Sequence, residues 1–267
     1  MKKNILLGLI SILVIGLLAA CGTTKDEGAD NGQAAEGEAE TKVLTVGTSA
    51  DYPPFEYIDT AKGDEIIGFD IDILTSLKEK LGYEIEMVDM DFGSIIGALQ
   101  SNKVDLSISA MSPNEDRRKN VDFSDTYYMA NHMIITKKGS NIESIDDLQG
   151  KVVGAQLGSI QEEEANNIAE TVNITVESRN KIPDLFQEMK VDRIDALFIE
   201  NTVAKGYLEK DDELTGFTLE GKEEDVGYAI AFPKGSELTE EFNSALQEMK
   251  ESGELEKLVL KWFGGEE

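Results

Sequence analysis

From Val43 onward, short apolar strands alternate with amphipathic helices, and this alternation limits the available folds more than any other feature of the chain. Val43–Thr48 reads as a strand. Ile71, Leu74, Leu77 and Leu81 recur at helical spacing, so Phe69–Leu81 reads as a helix with Asp70 as its cap and Gly82 as its stop. Glu84–Val88 reads as a strand, Ser94–Gln100 as a helix, and Val104–Met111, with Val104, Leu106 and Ile108 alternating, as a strand. This β-α-β-α-β order calls for a parallel sheet with helices on its faces. A second series starts near His132: strand Lys151–Ala155, a glycine turn, a helix from about Ser159, strand Ile174–Glu177, helix Pro183–Lys190, strand Ile194–Ile199 and a helix from Thr202. Tyr228–Phe232 reads as a last strand, and Leu238 to Phe263 as two helices broken at Gly253.

The two series echo each other. LQSNKVDLSIS and EMKVDRIDALFI both place a helix end, a basic residue and a Val/Ile-Asp pair before an apolar strand. The expected fold class is α/β with two lobes, each an open sheet flanked by helices, and with ligand-binding loops at the carboxyl ends of the strands.

The first forty residues are not part of that fold. Met1-Lys2-Lys3 is followed by an uncharged run from Ile5 to Ala20, which is short for a membrane span and suits an export signal. Its end, Leu18-Ala19-Ala20-Cys21, resembles the bacterial lipobox. That resemblance implies cleavage before Cys21, a diacylglyceryl group on its thiol, and a membrane anchor on the extracytoplasmic face, at the cell surface in a Gram-positive host. Residues 21–42 are rich in Gly, Ala and acids and poor in apolar residues, so they read as a flexible tether.

Composition excludes several function classes. The 25 Lys and Arg stand against 53 Asp and Glu, a formal charge of −28, which argues against nucleic acid as a partner. Cys21 is the one cysteine and His132 the one histidine, so a Cys/His metal cluster, an intrachain disulfide and a Cys–His nucleophile are not expected. No cofactor and no metal are called for.

Seven segments in order, VGTSADYPPFEY, IIGFDIDI, MDFGSIIGALQSNKVDLSISAMSPNEDRRKNVDFSDTYY, GKVVGAQLGS, RIDALFIENTVA, YAIAFPKGS and LVLKWFG, resemble the bacterial extracellular solute-binding proteins of family 3, the polar amino acid receptors of ABC importers. The resemblance implies a periplasmic-binding-protein-like fold of type II. Its first lobe would comprise residues 43–130 plus 228–267 and its second 131–227, joined by two crossover strands, with a free amino acid bound between them. It also implies a monomeric receptor that delivers its ligand to permease subunits.

A zwitterion buried in a cleft needs a partner at each charged end. Arg117 aligns with the family's carboxylate-binding arginine, and the N–H groups of Ser159 and Ile160, at an expected helix start, suit the same anion. Glu200 falls at the family's acidic position for the ammonium, with Ser112 and the Ala110 carbonyl completing that shell. Tyr52 and Phe92 match the positions that flank the ligand's side chain. For the side-chain tip the candidates are Asp51 and Glu56, both near the mouth, with Ser49 and Gln161 as polar candidates. Some relatives that bind cationic amino acids have an acid where Ser49 stands. The expected ligand is a polar or cationic amino acid, arginine ahead of glutamine. A rival reading is a cyclohexadienyl dehydratase on the same fold, which would use an acid in the cleft; a surface sensor domain is a third. Asp105, Asp195 and His132 read as structural residues.

Overall fold

The computed structural model describes residues 41–61, 63–219 and 227–264. The export signal and Cys21 lie outside the described residues, as does the tether apart from Thr41 and Lys42. Among the described residues no helix is long and apolar enough to cross a membrane.

Two five-stranded sheets organise the chain. The first runs in the order Glu84–Asp89, Val43–Thr48, Leu106–Ser107, Ala231–Pro233, Val121–Phe123, and the second Thr175–Arg179, Val152–Gln156, Ala196–Glu200, His132–Lys137, Leu214–Thr218. In each sheet the first three strands are parallel, as the alternation requires. The remaining contacts are antiparallel, which corrects the all-parallel expectation. His132–Lys137 and Ala231–Pro233 enter their sheets from the other lobe, with no crossover helix to turn the chain into a parallel direction. The two crossings, Tyr128–Met129 and Gly227–Tyr228, pair with each other. The expected strand Tyr228–Phe232 is therefore two, one in the crossing and one in the first sheet.

The helix Phe69–Leu81 ends where expected, at left-handed Gly82 with φ 75°. Its start corrects the reading of Asp70. The residue before the helix is Gly68 at φ 143°, and a Cβ there would lie 1.9 Å from the Phe55 carbonyl oxygen. Asp70 is buried and bonds elsewhere: its Oδ2 accepts the Ala110 N–H at 2.7 Å and the Tyr127 hydroxyl at 2.8 Å. That draws Ala110 out of the ladder at φ 42°, so only Leu106–Ser107 of the expected Val104–Met111 strand is paired. Gly68→Ala is expected to cost about 3 kcal/mol, measurable as a lower urea midpoint at unchanged m-value.

Asp105 and Asp195 do the same job in the two lobes. Asp105 Oδ2 accepts the Thr45 N–H and Asp195 Oδ2 the Val152 N–H, both at 2.8 Å. Each aspartate pins the start of its own strand to the neighbouring one, and the sequence echo reflects this. His132 packs edge-on against Phe198 at 5.2 Å. At the other end of the chain Phe263 joins an aromatic cluster, its ring 5.0 Å from Phe69 and 5.3 Å from Phe55. The Trp262 indole donates to Asp72 Oδ2 at 2.6 Å, fixing the last helix to the first lobe.

Candidate ligand-binding site

The carboxyl ends of the strands in both lobes converge on one cavity, lined by Ser49, Asp51, Tyr52, Glu56, Phe92, Ser109, Ala110, Gln156, Ser159, Gln161 and Glu200. Ser49 and Asp51 follow the first strand, and Phe92 opens a 3₁₀ turn. Gln156 and Glu200 end strands of the second lobe, and Ser159 caps the helix Ile160–Ala169. The sequence-derived candidates Ser49, Asp51, Tyr52, Phe92, Ala110, Ser159, Gln161 and Glu200 are thus brought together. Arg117, Ser112 and Ile160 do not line the cavity itself.

Arg117 lies in the helix Glu115–Asn120, whose cap, Asn114, accepts the Arg117 backbone N–H at 2.8 Å. Its guanidinium sits over the Phe92 ring, 5.3 Å from the centroid. Nη1 donates to the Ser112 carbonyl at 2.6 Å and Nη2 to the Gly158 carbonyl of the second lobe at 3.0 Å. Burial lowers its pKa to about 10, so it stays charged at neutral pH. The Ser159 N–H turns to the Gln156 carbonyl at 3.1 Å.

The cavity wall is acidic. Glu200 is buried, and Gln161 Nε2 donates to its Oε1 at 2.5 Å. Burial raises Glu200 to about 7, partly offset by its own backbone N–H and by Tyr228. Even so, neither Glu200 Oε2 nor the Tyr228 hydroxyl makes a hydrogen bond of good geometry. Glu56 is buried as well. Its Oε1 accepts the Ser109 hydroxyl at 2.8 Å, and its carboxyl interacts with that of Asp70, although Oε2 makes no hydrogen bond of good geometry. Burial, then the charge of Asp70, holds Glu56 well above the usual carboxylate range, and burial raises Asp70 to about 6. Buried carboxylates without counter-ions are costly, and a cation entering the cavity would relieve that cost.

Sequence reasoning left Glu56 at the mouth; the hairpin of Asp51–Tyr52 with Glu56–Ile58 turns it inward onto the cavity wall. Ser109 and Gln156 were missed. Their one sequence signal is position, as polar residues at or just beyond the carboxyl end of an apolar strand. Asp51 has both oxygens engaged: Oδ1 accepts the Ser49 hydroxyl at 2.9 Å and Oδ2 the Ile182 N–H of the second lobe at 2.7 Å. Tyr52 is buried and stacks on Phe55, with centroids 6.1 Å apart. Tyr52→Ala should weaken ligand binding by about 1–2 kcal/mol, read by calorimetry; unchanged affinity would make the ring plain core.

The lobes touch around the cavity. Asn180 Nδ2 donates to Asp91 Oδ2 at 2.8 Å, and Asn114 Nδ2 to Glu163 Oε2 at 3.2 Å. Gly158, at φ 77°, packs so close to Gly93 that a Cβ would come within 2.7 Å of the Gly93 Cα.

Two α/β lobes joined by a pair of crossing strands, with a buried polar cavity between them, define a solute-binding protein. The chain belongs to the bacterial extracellular solute-binding proteins, family 3, whose sequence profile matches residues 44–265. It is 51% identical over 267 residues, the whole of both chains, to the arginine-binding extracellular protein ArtP of Bacillus subtilis (strain 168). An ancestral arginine-binding protein bound to arginine is similar at a TM-score of 0.78 and 41% identity, covering 83% of this chain and 98% of that one. An ancestral arginine-binding protein bound to glutamine gives 0.77 and 41%, covering 84% and 99%. These relatives are solute-binding proteins rather than enzymes.

Proposed function

We propose that the protein captures free L-arginine outside the cytoplasm and delivers it to the permease of an ABC importer, without catalysing a reaction. The observation that carries this reading is the pair of buried carboxylates, Glu56 and Glu200, on the wall of one cavity. Arginine is a matching ligand, because it brings two cations and one carboxylate. Its ammonium would pair with Glu200, near Ser112 and the Ala110 carbonyl, and its guanidinium with Glu56, beside Ser109 and Gln156. Its carboxylate would take the remaining N–H groups of Arg117 and the Ile160 N–H at the helix start. Tyr52 and Phe92 would hold the aliphatic stem. Calorimetric titration with L-arginine should give tight 1:1 binding. Absence of heat, or formation of phenylpyruvate from prephenate, would overturn the reading.

Glutamine is the second reading, favoured by the glutamine-bound ancestral relative. It has no second cation for Glu56 and should bind more weakly. The lipobox at Leu18–Cys21 supports processing as a lipoprotein tethered by residues 21–42. Cys21→Ser should abolish palmitate labelling and move the protein from the membrane fraction to the medium or periplasm; persistent labelling would exclude Cys21 as the lipid site.

A further inference from the structure

A chain of hydrogen bonds leads from the cavity wall to the other lobe. The Ser109 hydroxyl donates to Glu56 at 2.8 Å, and the Ser49 N–H donates to the Ser109 oxygen at 3.0 Å. The Ser49 hydroxyl donates to Asp51 Oδ1 at 2.9 Å, and the Ile182 N–H of the second lobe to Asp51 Oδ2 at 2.7 Å. Ile182 opens the nine-residue helix Ile182–Lys190, whose own N-cap residue, Lys181, makes no side-chain cap bond. Asp51 therefore supplies, from the opposite lobe, an acceptor that the local sequence lacks. Asp51 is 6% exposed, so water competes poorly for that N–H. The neighbouring residues are gripped from the same side: Asn180 by Asp91, and Lys181 by Asp89 at 3.7 Å.

We propose that Asp51 is a positioning residue for lobe closure: it latches the amino end of the helix Ile182–Lys190 and, through Ser49 and Ser109, ties that latch to the cavity wall, without reading the ligand's side chain. An opposite-lobe carboxylate at a helix start gains both a hydrogen bond and a favourable interaction with the helix dipole, and it does so only when the lobes meet. Opening the cleft breaks this contact, so the latch slows ligand escape.

The test uses a ligand-independent readout. Lys103→Cys and Glu170→Cys, both exposed and on different lobes, take a fluorophore pair for interlobe distance measurement. Asp51→Ala should shift the distance distribution toward the open form with no amino acid added. It should also speed L-arginine release about 3- to 30-fold and leave the ratio of L-arginine to L-glutamine affinity unchanged. Asp51→Asn, whose amide oxygen can still accept the Ile182 N–H, should restore most of the closed population. If Asp51→Ala folds poorly, Asn180→Ala, at an exposed bond of the same clasp, should shift the distribution in the same direction by less. An unchanged distance distribution overturns the proposal, and so does a change of tenfold or more in the ligand ratio at unchanged distance. The release arm rests on the proposed binding of arginine; the distance arm does not. If wild type binds neither amino acid, the ligand reading fails while the distance arm still decides the latch.

Discussion

Arg117→Ala should lose about 3–5 kcal/mol of arginine affinity, a few-hundred- to few-thousand-fold, with an unchanged far-UV spectrum. The guanidinium is a charged donor next to an otherwise acidic cavity, and it is held in place by its bonds. The Ser112 and Gly158 carbonyls take two of its N–H groups, and Phe92 lies beneath its plane. Removing it would leave the ligand's carboxylate facing an excess of negative charge. Arg117→Lys should recover little, because an ammonium lacks the planar fork. The helix that carries Arg117 is capped by Asn114 through the backbone, so its fold does not need the side chain. Titration calorimetry of both variants beside wild type decides the matter; wild-type affinity in either would remove Arg117 from the site.

The second large effect has opposite signs on binding and on stability. Glu56→Gln should weaken arginine binding by about 3 kcal/mol and yet stabilise the protein in arginine-free buffer above neutral pH. Glu56 is raised well above its ordinary value, Glu200 to about 7 and Asp70 to about 6, in each case mainly by burial. An acid whose pKa is higher folded than unfolded binds more protons in the folded state, so unfolding free energy falls as pH rises from the unfolded value toward the folded one. For wild type without arginine, stability should therefore decline from about pH 4.5 through 7. Arginine should bind best above pH 7, where its partners have lost their protons, and should reverse the decline. Glu56→Gln removes one contributor and should flatten it. A flat stability profile for wild type, or equal affinities at pH 5 and pH 8, would contradict the cationic ligand.

What was readable in the sequence was local. The Phe69–Leu81 helix and the Val43–Thr48 strand have the expected bounds because their signals are local: apolar spacing in both, and Gly82 directly after the helix. Residues whose roles depend on distant partners were not readable. Asp70 looked like a cap because it stands at a helix start, but its partners are 40 and 57 residues away. Asp51 looked like a ligand reader, yet it meets an N–H 131 residues on. Glu56 was placed only near the mouth, and the folding of its hairpin is what turns it onto the cavity wall. The family resemblance supplied Arg117 and Glu200 as candidates. The bonds around them, and the fact that Arg117 stands beside the cavity rather than on its wall, required the fold.

The double crossing between lobes has a consequence for how the chain assembles. The second sheet is complete once Leu214–Thr218 has been made, whereas the first has an interior place that is filled only by Ala231–Pro233. A polypeptide that emerges amino end first from a ribosome or an export channel thus finishes its middle before its beginning. Leu106–Ser107 and Val121–Phe123, which flank that place, must wait with an unfilled neighbour until the final segment arrives, so chaperones at the exit should engage the first lobe longer than the second.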